Sequence, residues 1–459
     1  MRALSIALAG ALLASTPAAA QSVEEQARVH RLVGEVRADR LRADVEAMVG
    51  FGTRHTLSET ESDTRGVGAA RRWVQREFQA ISRDCGGCLE VVLPSQIVTA
   101  LPRIPDPTEV VNVVAIQRGT TDPERVILIS GHLDSRVTDV MNATADAPGA
   151  NDDASGVAAL IEAARVLSRE RFPATLVYAA LTGEEQGLHG ARILAEYAQA
   201  RGWRIMANLN NDMVGNIEGQ NGVIDNTRIR VFAEGTRTLE TQAEADTRRY
   251  NGGEVDSPSR NLARFIDGIA DRYLTNFDVE MIYRTDRYGR GGDQVAFLRL
   301  GFPAVRITEG SENYDRQHQD LRTENGVVYG DMIEGIDFDY LAQATRLNVA
   351  TMAAMARAPA PPTGVTIAGA VLPDTTLRWT AGPGAAGYRV WWRSTTAPQW
   401  THSRWAGPAT ELVLRGVVID DFFFGVSAVS ADGYESPVVF PGPAGAFIPA
   451  AAPAPRPAN

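Results

Sequence analysis

Apolar residues first recur at helical spacing along this chain, and further on they close up into short unbroken runs. "SVEEQARVHRLVGEV" starts with Ser22 and Glu25 at capping-box spacing, which predicts a helix start. In "RGVGAARRWVQREFQAIS", Ala70, Trp73, Val74, Phe78 and Ile81 share one helical face. The period then changes. "VNVVAIQ" (111–117), "RVILISGH" (125–132), "ATLVYAALTG" (174–183) and "IMANLNND" (205–212) read as strands. "GVAALIEAARVLSR" (156–169) and "GLHGARILAEYAQA" (187–200) read as helices between them. A helix after 260, a strand in "VEMIYRT", a helix near "DQVAFLRLG", the strand "AVRITEG" and a long helix over 332–357 continue the series. Buried strands alternating with helices predict an α/β fold, a mostly parallel mixed sheet with helices on both faces.

Beyond "RAPAPPTGV" the pattern is different. Leu377 and Trp379, then Tyr388, Val390 and Trp392, then Phe422, Phe424, Val426 and Ala428 alternate with period two. Residues 363–441 therefore read as a small all-β sandwich, joined to a first domain (21–357) by a Pro-rich linker over 358–362. Its L-x-W, Y-x-V-x-W and F-x-F-x-V-x-A spacings resemble a fibronectin type III domain. Such a domain could contact a surface or a polymer, or be removed at an accessible linker. The tail, 442–459, is expected to be disordered.

Residues 1–20, "MRALSIALAGALLASTPAAA", have the charge, apolar stretch and small-residue ending of a cleavable signal peptide. They predict a secreted or periplasmic protein, and no other run approaches membrane-spanning length. Cys85 and Cys88 are the only cysteines. In an exported chain they suggest a short-loop disulfide, since two thiols alone do not complete a structural zinc site. With 56 acidic against 45 basic side chains, nucleic acid is not an expected partner. All the basic residues are arginine, which excludes a Schiff-base or P-loop lysine.

The chemistry gathers at strand exits. "GHLDS" carries His132 and Asp134, "PGANDDASG" carries Asp152, "GEEQG" carries Glu184 and Glu185, "NND" ends at Asp212, and "NYDRQHQD" holds His318. Singly each is ordinary: a surface pair, a helix N-cap, a solvated turn, a surface histidine. Together they put two imidazoles and several carboxylates on the rim where open α/β sheets bind ligands. That donor set suits a pair of divalent metals, with imidazole favouring zinc. Cations also explain two adjacent glutamates at the end of a buried strand, because their charge offsets the crowding of acids. His30, His55, His189 and His402 read as packing or surface residues away from this rim.

In combination these motifs resemble the secreted di-zinc exopeptidases, which include bacterial leucyl aminopeptidases and glutamate carboxypeptidases (clan MH). The resemblance spans roughly 45–355. It implies one zinc on His132, Asp152 and Asp212 and a second on Asp152, Glu185 and His318, with Asp152 between them. It implies that Asp134 orients His132, and that Glu184 is general base toward a zinc-activated water. In that family a tyrosine steadies the oxyanion near a disulfide in the segment matching "RTDRYGRGGDQVAF". Here the disulfide is absent and Tyr288, offset by one position, is the candidate. Arg287 and Arg290 are expected either to bind a substrate carboxylate or to form structural ion pairs. The expected activity is zinc-dependent removal of N-terminal residues from peptides. A carboxypeptidase with the same centre, a one-zinc glutaminyl cyclase and a non-catalytic binding protein are the alternatives.

Overall fold

The computed structural model describes residues 23–447. The expected leader, Ser22 and residues 448–459 of the expected tail lie outside the described residues. Among the described residues, an eight-stranded mixed sheet forms the centre. Its middle is parallel, in the order Ala174–Leu181, Asp122–His132, Arg204–Asn211 and Ala304–Glu309. Val113–Gln117 and then Glu90–Val92 extend one side antiparallel. On the other side Arg228–Phe232 runs antiparallel to Ala304–Glu309 and pairs in parallel with Asp278–Ile282. Every residue of 113–117, 174–181 and 304–309 is buried, the pattern of strands covered on both faces.

The two faces have separate cores. One packs helices Gly66–Asp84, Gly156–Leu167, Pro258–Tyr273 and Phe338–Arg357 on the sheet, through Val74, Phe78, Leu160, Ile266 and Leu347. The other packs His189–Ala200 and Gln294–Leu298 through Leu194, Ala198 and Phe297. The last helix starts at Phe338, later than its apolar pattern suggests. Asp337 is its N-cap, accepting from the backbone N–H groups of Asp339 and Tyr340, and the preceding turn is a separate 3₁₀ segment. Helix Ala38–Val49 and two hairpins, Ser95–Val98 with Thr108–Val111 and Arg322–Glu324 with Val327–Tyr329, add to the predicted elements. Cys85 and Cys88 form a disulfide.

Residues from 363 onward fold into two three-stranded antiparallel sheets. Leu377, Trp379, Tyr388, Val390, Phe424, Val426 and Ala428 fill the space between them, while Trp392 and Phe422 are partly covered. Two expectations fail here. Ala358, Pro359, Pro361 and Pro362 are buried, so the Pro-rich segment offers no accessible cleavage point. The described start of the tail is packed as well: Phe447 is buried in the sandwich core, and the carbonyl of Pro443 accepts from Arg237 Nη1 at 2.9 Å.

A polar seam with apolar flanks joins the sandwich to the α/β unit. Arg393 donates to both oxygens of Asp256, at 2.9 and 3.0 Å, and Arg264 donates to the same carboxylate at 2.9 Å. All three side chains are buried. Trp400 Nε1 donates to Asn261 at 3.2 Å, and the Tyr434 ring belongs to the α/β core. Removing Asp256 leaves two buried guanidiniums without their acid. Asp256→Ala is expected to lower unfolding free energy by about 3–5 kcal/mol. Chemical denaturation would measure it, and a loss below 1 kcal/mol would contradict the seam's structural role.

Candidate active site

The carboxyl ends of the four parallel strands face one rim. His132 closes its strand, Glu184 and Glu185 follow the strand that ends at Leu181, and Asp212 follows Asn211. Asp152 comes from the irregular turn Ala150–Ser155, which enters helix Gly156–Leu167 through a cis peptide to Asp153. His318 arrives from the loop after Ala304–Glu309. Its φ of 53° is left-handed, a conformation that costs a residue with a Cβ roughly 1–2 kcal/mol. Met213, directly after Asp212, has a φ of 61°. Strain of this kind concentrates where function over-determines the backbone.

The donor atoms fall into two groups that share Asp152. His132 Nε2 lies 2.9 Å from Asp152 Oδ1 and 3.9 Å from Asp212 Oδ1. His318 Nε2 lies 2.9 Å from Asp152 Oδ2 and 2.9 Å from Glu185 Oε1. Within each group the donor atoms all lie within 4.8 Å of one another. His132 Nε2 and Glu185 Oε1 are buried, and their 2.9 Å contacts with Asp152 and His318 do not have hydrogen-bond geometry. Two imidazoles, three carboxylates and unsatisfied lone pairs pointing inward fit zinc, and the division of Asp152 between two groups fits a pair of ions. Burial alone would depress the His318 imidazole, but Glu185 and Asp152 push it up to about 10. Burial raises the Glu184 carboxyl well above its usual range, and neighbouring Glu185 and Asp212 add to the effect against His132. Metal binding must displace such protons, so affinity falls as the pH is lowered.

A surrounding network holds the donors in place. Arg306 is fully buried and pairs with Asp212 Oδ2, while its Nη2 donates to the Asp212 carbonyl at 3.2 Å. The Asp331 carboxylate accepts the backbone N–H groups of Asn151 and Asp152 at 2.8 and 2.7 Å. Asp153 accepts from the backbone N–H of His132 at 2.8 Å, of Gly156 at 3.0 Å and of Met213 at 3.2 Å, tying two strand exits to a helix start. Asp153 thus accepts the first N–H of helix Gly156–Leu167, whose N-cap is Ser155, alongside this second task.

The comparisons with known proteins agree with this geometry. A model of peptidase family M28 matches residues 112–336. The chain is 46% identical to a probable zinc metalloprotease of Leptosphaeria maculans, over 90% of this chain and 97% of that one. It is 44% identical to another of Pyrenophora teres f. teres, over 92% and 88%. The chain belongs to peptidase family M28. It is a zinc metallopeptidase, a hydrolase of peptide bonds. Its fold is also similar to that of LapB from Legionella pneumophila (TM-score 0.52, 17% identical, covering 72% and 75%). The LapA aminopeptidase of the same organism gives a TM-score of 0.52 at 19% identity, covering 74% and 77%.

Several positions of this M28 peptidase differ from expectation. His132 Nδ1 faces the backbone carbonyl of Asp134 at 3.0 Å, and the Asp134 carboxylate is 3.8 Å away. That carboxylate instead accepts the N–H groups of Gly183, Glu184 and Glu185 and the Thr56 hydroxyl, so it shapes the "GEE" turn. Tyr288 is 88% exposed, stacked near Arg284 and outside the cleft lining. The loop around it turns at Gly289 and leaves the ring in solvent. His55 is not remote: it is buried, with Nε2 3.1 Å from Gln186 Nε2 beside Glu185. Sequence reading missed Asp331 and Arg306. Arginine in the buried run "AVRITEG" was the available signal, because a buried charge requires a partner.

Asp152→Ala is expected to abolish metal retention, read by elemental analysis of the folded protein. Asp331→Asn, which turns one acceptor into a donor facing an N–H, is expected to weaken metal affinity about 10- to 100-fold in chelator competition. Unchanged affinity in Asp331→Asn would contradict the clamp.

Proposed function

We propose that this M28 peptidase is an exported aminopeptidase that binds two zinc ions and removes N-terminal residues from peptides. His132, Asp152 and Asp212 would hold one ion, and Asp152, Glu185 and His318 the other. The observation that carries the reading is Glu184 in the wall of a cleft of about 330 Å³, beside both donor groups. Zinc, when bound, supplies Lewis acidity, making a water more acidic and polarising the scissile carbonyl.

The chain's own groups do the rest. Glu184 and Glu185 sit on the irregular exit of a strand, where adjacent side chains need not point to opposite faces. One can stay in the donor set while the other meets substrate. Burial favours a proton on Glu184. Its carboxylate can therefore accept a proton from the attacking water and return it to the leaving amine. Asp134 fixes the backbone from which both glutamates project. The "AAA" before Gln21 supports export, and the alternating core of 363–441 supports a fibronectin type III-like sandwich. A carboxypeptidase is the second reading, favoured by arginines in the cleft lining.

Glu184→Gln is expected to lower kcat by about 10²–10⁴-fold while metal content is retained. Aminoacyl chromogenic substrates, assayed with chelator and then zinc add-back, give the measurement. Activity that survives both the substitution and chelation would overturn the reading.

A further inference from the structure

The cleft that holds the donor groups is also lined by Arg103, Arg136, Arg287 and Arg290. They come from three separate segments: the turn between strands Ser95–Val98 and Thr108–Val111, the run after His132, and the loop after Asp278–Ile282. Their partners are few. Arg103 Nη1 donates to the backbone carbonyl of Glu185 at 2.8 Å and, among the described residues, has no ion pair. Arg136 donates to the carbonyls of Val137 and Thr138, and its nearest acid is Glu185 at 3.9 Å, itself one of the donor set.

Arg287 and Arg290 share Glu312, at 3.5 and 3.2 Å, and Arg230 already pairs with that carboxylate at 2.9 Å. Arg287 also has Asp286, at 3.1 Å. Outside the donor set, Asp286 and Glu312 thus serve three guanidiniums, those of Arg230, Arg287 and Arg290, and Glu184 is the further acid of the lining. Arg287, with only 10% of its side chain exposed, leaves Nη1 buried without a hydrogen-bond partner. The excess is local, since the chain as a whole carries a net charge of −11. Arg136 and Arg287, with 14% and 10% of their side chains exposed, are the desolvated members of the set, and structural ion pairs alone would not leave them short of acids, because that is costly. A substrate carboxylate would meet planar forks suited to hold it in two-point contact.

We infer that the substrate of this cleft carries a carboxylate beside the scissile bond, held by Arg136, Arg287 and Arg290 with Arg103 at the rim. This rests on the exopeptidase reading above. The carboxylate can be the side chain of an acidic residue or the free α-carboxylate of a short peptide, and the chemistry of recognition is the same. A neutral peptide would leave the surplus charge unmatched.

The test uses the full-length zinc-loaded enzyme and two matched series. The first compares N-terminal Glu with Gln, and Asp with Asn, in aminoacyl chromogenic substrates. The second compares dipeptides with a free carboxyl end against their amides, with and without N-acylation. In at least one series the carboxylate member is expected to have kcat/KM about tenfold higher or more, chiefly through KM. Preference in the first series assigns a side-chain carboxylate, and in the second a chain terminus. Arg290→Gln, at a site whose side chain is 35% exposed, is expected to reduce that preference severalfold without loss of thermal stability. The preference should also fall as ionic strength rises. Equal or faster turnover of the neutral members, with a ratio that Arg290→Gln and Arg136→Gln leave unchanged, would overturn this inference alone. Turnover of no member by zinc-loaded enzyme would overturn the exopeptidase reading and this inference with it.

Discussion

Repulsion among acids is the constraint that the rest of this structure answers. Asp152, Glu185 and Asp212 crowd around two imidazoles, and one carboxylate must serve both donor groups. Left to themselves, such groups would separate or take up protons. They stay because each is fixed by its backbone more than by its side chain. Asp331 clamps the amides that lead into Asp152, Asp134 clamps the amides of Glu184 and Glu185, and Asp153 clamps that of His132. Acids thus hold the turns that carry other acids, and arginine reaches the donor set at two points, Arg306 on Asp212 and Arg136 3.9 Å from Glu185.

That arrangement depends in turn on the sheet. Four parallel strands deliver their ends to one rim, and their buried interiors make the register hard to shift. A slip of one residue would turn His132 and its neighbours to the other face. The left-handed backbone at Met213 is held because its carbonyl accepts the Glu309 N–H at 2.9 Å, between the ends of two such strands. Stability stored in the cores is spent locally at the site, as expected where geometry has to be held before a ligand arrives.

How much of this was legible follows from how far each interaction reaches along the chain. The central strands and their helices appear in runs such as "RVILIS" and "GVAALIEAARVL", because burial on both faces leaves an unbroken apolar signal. The donor residues were visible through their order at strand exits. The short hairpins, largely exposed, carry no comparable pattern. Asp331 could not be read, because its contact lies 179 residues away from Asp152 and resembles any loop aspartate. Asp134 holds His132 through its backbone carbonyl, and its carboxylate has a second task that the sequence does not show. Sequence puts it two residues from His132, whereas the fold puts its carboxylate against a turn some fifty residues on. Tyr288 failed for a related reason, since an offset of one residue in a loop around Gly289 decides whether a ring faces cleft or solvent.

The sandwich raises the opposite question, because its strands were easy to predict and its attachment was not. Period-two alternation reveals the inner face of a sheet, but nothing in it marks Arg393 as a residue that crosses to another unit. The Pro-rich segment suggested a tether, yet its prolines are buried and Tyr434 completes the α/β core. The relatives match over about nine-tenths of the chain, more than the α/β unit contains, so the match runs into the sandwich. The family model, by contrast, stops at 336. A seam of buried charge needs both sides present to be satisfied. The two units therefore share buried charge that each needs the other to satisfy, and helix Pro258–Tyr273, which carries Asn261 and Arg264 to the seam, also packs on the sheet. Whatever the sandwich contacts outside, its first structural role is to cover the charges of that helix.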